Sequence, residues 1–261
     1  MKKFSIGLLV GILLMFSVNA FAAVLLQETP FTLFIDDVKV EKPLYADANG
    51  TTYAPLWEIS DKFGIEAKLD GNDILLTTPK TDTEAVAEKC KDSCVMIYGY
   101  DVYGGRYQGS GWVYNGYVIT ARHVVIYSNE IEVYGDNGEY SKGKIVYDDK
   151  DLDVAVLKVN MDLPTVTLGD TAKEGEGEVV ISISSPKGYL NMIDECIYCG
   201  IQETTDSTDI NLSETFVTNG SSGGAIFNKN SEIIGMLYFD SGGITSAIPI
   251  SDIKPILEKL K

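Results

Sequence analysis

The chain has 261 residues, which is enough for one large domain or two unequal ones. Its 38 acidic residues outnumber its 21 basic residues, and the formal net charge is −17. A surface this acidic would repel the phosphates of nucleic acids and of anionic membranes, so we expect neither as a partner.

The first 22 residues have the features of a cleavable signal peptide. Lys2 and Lys3 precede an apolar run over residues 6–16, and Ala20-Phe21-Ala22 supplies the small residues that a signal peptidase needs. The run is shorter than the roughly 20 apolar residues of a membrane span, and a retained N-terminal anchor is the alternative. We expect cleavage near Ala22 and a secreted or extracytoplasmic location, in the bacterial cell envelope.

Residues 23–80 are predicted to form a small α+β module. Short apolar segments on both sides of Asp36-Asp37 predict a hairpin, and the turn Asp70-Gly71-Asn72-Asp73 predicts a second one. Between them, Pro55 suits the first turn of a helix that Gly64 would end. The apolar face of that helix would consist of Leu56, Ile59 and Phe63.

Four short motifs of this module are similar to the copper amine oxidase N-terminal-like (stalk) domain of secreted bacterial proteins. They are Phe34-Ile35-Asp36-Asp37, Thr52-Tyr53-Ala54-Pro55-Leu56, Phe63-Gly64-Ile65 and residues 69–75. Despite the family's name no metal is implied, because the module contains neither His nor Cys. The resemblance implies a spacer, or an attachment to the cell envelope, without chemistry of its own.

Residues 81–93 are predicted to be a linker, since they are polar and helical in tendency. The chain has four cysteines, which are Cys90, Cys94, Cys196 and Cys199. In a secreted chain an even number of cysteines is first interpreted as disulfides. Their arrangement in two close pairs leaves a four-thiolate zinc site as an alternative, and free thiols as another.

Residues 94–261 have the pattern of a domain built from short strands that turn signals separate. We predict two series of six strands, and therefore two β-barrels, followed by a capped amphipathic helix over residues 251–261. The predicted strands are 95–100, 107–114, 117–120, 130–134, 144–148 and 154–159, then 178–182, 193–198, 214–218, 225–228, 233–239 and 245–249.

Three residues in this domain have the chemistry of acyl transfer, which needs a base, an acid that orients it and a nucleophile. His123 is the only histidine, and imidazole changes its charge near neutral pH. Asp153 is the preferred acid because an apolar run starts directly after it, with Asp149 and Asp151 as lesser candidates. Ser222 is the nucleophile, in a turn rich in glycine.

The glycines around Ser222 have a separate chemical purpose. A nucleophile turn must direct backbone N–H groups at the developing oxyanion, and side chains would obstruct that approach. We expect Gly220 and Ser222 to supply these N–H groups.

Collinear motifs around these residues identify a family. They are Gly109-Ser110-Gly111-Trp112-Val113 with residues 116–125, then residues 153–158, 220–226, 235–236 and 247–250. On these motifs, residues 84–261 resemble an HtrA-type (high-temperature-requirement) trypsin-like serine protease. The resemblance implies a mainly β, chymotrypsin-like double β-barrel with the triad between the barrels. It also implies a secreted serine endopeptidase that hydrolyses proteins or peptides through an acyl-enzyme, without cofactor or metal.

The chain departs from the family's pattern at two places. Ser221 stands where Asn or Asp usually precedes the nucleophile, and the sequence stops after one terminal helix, so we expect no PDZ domain. Trypsin-like relatives tie the N-terminal segment to the second barrel, so by analogy Cys90 or Cys94 could bond to Cys196 or Cys199.

The substrate pocket is predicted from the residues before the nucleophile and in the strand after Gly235. The candidates are Phe216, Val217, Tyr238 and Phe239. They predict an apolar pocket for small or medium aliphatic residues, while Asp240 would instead attract a basic side chain. An esterase and a latent or non-catalytic protein-binding module on the same fold are the alternative functions.

Overall fold

The computed structural model describes residues 26–35, 38–70, 73–77, 80–204, 207–213, 217–241 and 244–260. The predicted signal peptide lies outside the described residues. The chain divides into two compact units, Met1–Pro79 and Lys80–Lys261. None of the described helices is long and apolar enough to cross a membrane.

The described residues of the first unit form short strands and one helix. Its elements are β1 (Gln27–Glu28), β2 (Phe34–Ile35), β3 (Val38–Lys39), β4 (Tyr45–Ala46), β5 (Thr52–Tyr53), α1 (Leu56–Lys62), β6 (Glu66–Asp70) and β7 (Asp73–Thr77). Strand β2 pairs with β3 and β6 pairs with β7, which confirms both predicted hairpins. Helix α1 begins directly after Pro55 and ends before Gly64, whose φ is +64°. The predicted helix is therefore confirmed.

The segment predicted as a linker forms helix α2 (Asp82–Cys90) and the 3₁₀ turn Lys91–Ser93. Thr81 accepts a hydrogen bond from the N–H of Glu84, whose carboxylate accepts one from Thr81 in return. This capping box satisfies donors that the first helical turn leaves open. Val86 and Cys90 of α2 are buried in the core of the second unit.

The first sheet of the second unit has the strand order β12-β11-β8-β9-β10-β14-β13. Its elements, with one helical turn, are β8 (Cys94–Tyr100), β9 (Arg106–Tyr114), β10 (Tyr117–Ala121), α3 (Arg122–Val125), β11 (Glu130–Gly135), β12 (Tyr140–Lys142), β13 (Lys144–Asp149) and β14 (Val154–Lys158). Gly143 alone separates β12 from β13, so the chain itself joins the two ends of the sheet. All six strands predicted in the first series are present.

The second sheet has the order β15-β20-β19-β16-β17-β18-β21. Its elements are β15 (Thr167–Leu168), β16 (Val179–Ser184), β17 (Met192–Glu203), β18 (Thr208–Leu212), β19 (Ala225–Phe227), β20 (Glu232–Ser241) and β21 (Ile244–Pro249), followed by helix α4 (Ile250–Leu257). Strand β20 also pairs with β21, which closes six strands into a barrel. The predicted two-barrel architecture is confirmed.

Three apolar clusters hold the second unit together. One lies inside each barrel, and the third lies between the barrels and contains Trp112 and Val154 from the first sheet with Ile181 and Phe227 from the second. Side chains alternate across each strand, so one strand contributes both to its barrel interior and to the contact between barrels. The two sheets are thereby fixed against each other, and so are the loops at their junction.

Two predicted elements differ from the structure. Residues 217–218 are not in a strand and 214–216 lie outside the described residues, while β18 occupies 208–212 instead. The sequence of β18 alternates between polar and apolar residues, and its apolar residues Ile210 and Leu212 are buried. Helix α4 ends at Leu257, and its N-cap residue, Pro249, has no polar side chain to make the predicted cap.

Candidate active site

The first barrel brings the predicted base and its predicted acid together through strand pairing. In the ladder between β10 and β14, Ala121 lies opposite Val154, so the residues that follow β10 meet those that precede β14. The N–H of Arg122 donates to the carbonyl oxygen of Asp153 at 2.8 Å. His123 is therefore placed in the single turn α3 beside Asp153.

Asp153 holds His123 through both carboxylate oxygens. Oδ2 lies 2.5 Å from Nδ1 of the imidazole, and Oδ1 accepts the backbone N–H of His123 at 2.9 Å. The backbone of Asp153 is left-handed, with φ +54°, a conformation that Asp tolerates better than most residues. The carboxylate is half-buried, and 28% of the Asp153 side chain remains exposed.

The other two candidate acids have different surroundings. Oδ1 of Asp149 accepts the N–H groups of Asp151 and Leu152 at 3.0 and 3.1 Å, so this carboxylate supports the turn before β14. Asp151 lines a small cavity of about 80 Å³. Of the three acids, all within the described residues, Asp153 is the one hydrogen-bonded to His123.

The second barrel supplies the serine. Ser222 lies in the turn before β19, half-buried, and its carbonyl oxygen accepts the N–H of Ser110 in β9 at 2.8 Å. Its Oγ donates to the carbonyl oxygen of Tyr238 at 3.3 Å. The hydroxyl thus points at β20 rather than at His123, although both side chains line the same cleft.

The turn requires glycine at two positions. Gly220 and Gly223 have φ values of +100° and +86°, in the left-handed region. A Cβ at Gly220 would overlap the Gln108 side chain, and one at Gly223 would overlap the carbonyl oxygen of Ser110. Among the described residues, the N–H groups of Gly220 and Ser222 have no hydrogen-bond acceptor, so they are available as donors.

The cleft at this site has a volume of about 500 Å³. Its lining residues are His123, Asp153, Val217, Thr218, Asn219, Ser222, Leu237 and Tyr238. Of the predicted pocket residues, Val217 and Tyr238 are among them. Phe216 and the side chain of Phe239 lie outside the described part of the chain. Sequence reasoning missed Thr218, Asn219 and Leu237, which are direct neighbours of the predicted residues.

Tyr238 connects the cleft to an acid that the sequence did not single out. Its hydroxyl donates to Oδ1 of Asp209 in β18 at 2.9 Å. Burial, this hydrogen bond and the negative charges of Asp209 and Asp153 raise the pKa of Tyr238 to about 12. The phenol therefore stays neutral at physiological pH, beside the carboxylate that holds His123.

The four cysteines are free thiols in the structure, with Cys199 exposed and the others buried. Cys90 and Cys94 belong to the core between the barrels, whereas Cys196 lies inside the second barrel. Burial raises the pKa of Cys196 to about 12 and that of Cys94 well above its ordinary value. Disulfide pairing stays a prediction. The described residues include no group of three His, Cys, Asp or Glu side chains arranged to hold a metal ion.

Sequence similarity relates part of this chain to known proteases. Residues 109–236 match the family described as trypsin-like peptidase domain. A probable periplasmic serine endoprotease, DegP-like, of Halomonas elongata is 35% identical over 169 residues, which are 60% of this chain and 35% of that protein. Over these residues the chain is similar to trypsin-like peptidase domains, and it is similar to serine proteases of the HtrA type. The serine protease Do-like HtrB of Bacillus subtilis is 31% identical over 161 residues, covering 55% of this chain and 35% of that protein.

Solved protease structures share the fold. The serine endoprotease from Yersinia pestis aligns with a TM-score of 0.62 and 25% identity over 70% of this chain and 67% of that one. An HtrA-type protease solved with a tripeptide aligns with a TM-score of 0.63 and 22% identity, over 68% and 63% of the two chains. The predicted chymotrypsin-like double barrel is confirmed. The chain spans about a third of the length of the curated relatives it matches.

Proposed function

We propose that this protein is a serine endopeptidase in which Ser222 is the nucleophile, His123 the general base and Asp153 the orienting acid. The observation that carries the proposal is the two-point contact of Asp153 with the His123 ring and backbone. This contact fixes the proton on Nδ1 and leaves Nε2 as the basic nitrogen, in the cleft that Ser222 lines.

The mechanism follows from these positions. Ser222 Oγ attacks the scissile carbonyl carbon while its proton passes to Nε2 of His123, and the carbonyl oxygen becomes an oxyanion bound by the N–H groups of Gly220 and Ser222. When the tetrahedral intermediate collapses, the C–N bond breaks and His123 protonates the leaving amine. Water then attacks the acyl-enzyme, giving its proton to His123, and Ser222 recovers its hydroxyl proton as the product acid leaves.

One observation favours a second candidate, a latent enzyme or a protein-binding module on this fold. The Ser222 hydroxyl donates to the carbonyl oxygen of Tyr238 and must rotate away from it before it can donate to His123. Such a rotation between staggered positions is small in energy, and catalytic hydrogen bonds are often formed only in the substrate complex. The direction of the Ser222 hydroxyl therefore fits an enzyme whose hydrogen bond between Ser222 and His123 forms when substrate binds. It fits equally an enzyme that needs activation.

The substrate class is inferred from the cleft and the relatives. Val217 gives the cleft an apolar wall, which supports small or medium aliphatic residues at the cleavage position, whereas the Leu237 side chain is fully buried inside the second barrel. Asp240, the alternative attractor for a basic residue, has its side chain outside the described part. Cleavage of a peptide library resolves the two, since a preference for Lys or Arg would contradict the apolar pocket.

The cellular setting is inferred from the N-terminus and from the relatives' names. Relatives at 35 and 36% identity are named periplasmic, and the first 22 residues fit a signal peptide. Both support an extracytoplasmic enzyme that acts on proteins or peptides. The N-terminal unit is proposed as the spacer or attachment module, in keeping with its stalk-like motifs.

The test is intact-mass spectrometry after exposure of the mature protein to a fluorophosphonate, which adds to an activated serine. We expect one adduct, mapped to Ser222, and none in Ser222→Ala. Ser128→Ala is the matched control, because the Ser128 hydroxyl is buried without a hydrogen-bond partner among the described residues. It should label like wild type. Absence of any adduct in wild type would favour the latent or binding-module function, and turnover of a small ester without a protein such as casein would favour the esterase.

A further inference from the structure

Ser110 in β9 contacts the nucleophile turn from both ends. It is 1% exposed, its N–H donates to the carbonyl oxygen of Ser222 at 2.8 Å, and its Oγ donates to that of Gly220 at 2.7 Å. The carbonyl groups on both sides of Ser221 are therefore held by a single residue of the first barrel. Ser110 is itself fixed, since Thr120 Oγ1 donates to its carbonyl oxygen at 2.6 Å.

The direction of the Ser110 hydroxyl is determined by a second partner. The N–H of Ser185, a fully buried residue that follows β16, donates to Ser110 Oγ at 2.7 Å. An oxygen that accepts from Ser185 has its own proton left to donate, and Gly220 supplies the acceptor. The Ser110 hydroxyl thus links Ser185 of the second barrel to Gly220 in the nucleophile turn through two hydrogen bonds.

The hydrogen bonds on both sides of Gly220 determine the direction of its N–H group. The carbonyl oxygen of Asn219 accepts the N–H of Lys187 at 2.9 Å, and the peptide bond that follows Asn219 is trans. In a trans peptide the N–H points opposite to the carbonyl, so the N–H of Gly220 faces away from Lys187. Gly220 itself, with φ +100°, has no Cβ to restrict rotation. Its two flanking peptide planes are held by Lys187 and Ser110.

We infer that Ser110 is a positioning residue for the oxyanion donors, acting through the Gly220 carbonyl. This inference rests on the proposed function. Without the hydroxyl, the peptide after Gly220 loses its anchor, and the buried N–H of Ser185 loses its acceptor. The donors would then be misdirected where charge develops in the transition state, while the walls that bind the peptide would be unchanged.

The experiment compares Ser110→Ala with Ser141→Ala in the full chain. Ser141 is a matched control, since its buried hydroxyl also donates to a carbonyl, that of Lys142, and accepts an N–H, that of Asn160. In Ser110→Ala we expect kcat to fall about tenfold, below the 10²–10³-fold loss that follows removal of an oxyanion donor, with KM within about twofold. Affinity for a peptide aldehyde, whose adduct carries the oxyanion, should fall in proportion. Ser141→Ala should change neither.

A readout that needs no turnover accompanies these assays. Hydrogen exchange of residues 217–224 should accelerate in Ser110→Ala and not in Ser141→Ala, even if wild-type protein proves inactive. Unchanged exchange, or a folded Ser110→Ala protein that keeps at least half of the wild-type kcat, would overturn the inference. If that variant melts below the assay temperature, Ser110→Cys replaces it: a thiol fills the site as a weak donor, and an intermediate exchange rate is expected. Absence of fluorophosphonate labelling in wild type would count against the proposed function alone.

Discussion

Replacing Asp153 by Asn tests the orientation of the base directly. The carboxylate now accepts two donors, the N–H of the His123 backbone and Nδ1–H of its ring. An amide has one oxygen and one NH₂ group, so it can accept only one of these bonds. The backbone N–H can only donate, so we expect the amide oxygen to accept its hydrogen bond. The NH₂ group then faces Nδ1.

The consequence for His123 is the wrong tautomer. A donor opposite Nδ1 favours the imidazole with its proton on Nε2, and that nitrogen can no longer accept the Ser222 proton. Loss of the correct tautomer costs about 10⁴-fold in kcat in enzymes with this triad, or about 5.4 kcal/mol of transition-state stabilisation. The cleft walls are untouched, so KM should stay within about threefold.

Steady-state cleavage of a fluorogenic peptide measures this effect, with a thermal melt to verify folding. The control is Asp151→Asn, which removes the same charge two residues earlier from a carboxylate that makes no hydrogen bond to His123 among the described residues. It should keep kcat within about threefold. A folded Asp153→Asn protein with kcat within tenfold of wild type would refute the assigned role of Asp153.

Three further outcomes are expected. Gly223→Ala should lower the free energy of unfolding in urea melts by more than about 2 kcal/mol, because the new methyl group would overlap the Ser110 carbonyl oxygen. Gly138→Ala is the control: its φ is +83° but the space around it is open, so its free energy of unfolding should fall by about 1 kcal/mol. Titration with a thiol reagent should modify Cys199 rapidly and the buried cysteines only on unfolding; no reactive thiol would instead support disulfides. Tyr238 ionises near pH 10 when unfolded but near 12 when folded, so stability should fall between these values, and less steeply in Tyr238→Phe; equal slopes would contradict that pKa.

Much of the site was predictable because the chemistry is local in sequence. His123 and Ser222 each stand in a motif whose neighbours are dictated by the backbone, such as the glycines whose φ values are positive. Most strands of both barrels were predicted from alternation, but β12, β15 and β18 were missed, and a strand was predicted at 214–218 instead of β18. That error shifted attention away from Asp209, the partner of Tyr238.

The sequence by itself determined the fold class, the order of the three proposed catalytic residues and the need for glycine in the turn around Ser222, since each depends on residues that are neighbours along the chain. The tertiary structure alone decided between Asp149, Asp151 and Asp153, because strand register places one carboxylate against His123. It also decided the partner of the Ser222 hydroxyl and the contact of Ser110 with Gly220. These bonds join distant segments through the packing of two barrels, and no local pattern encodes that geometry.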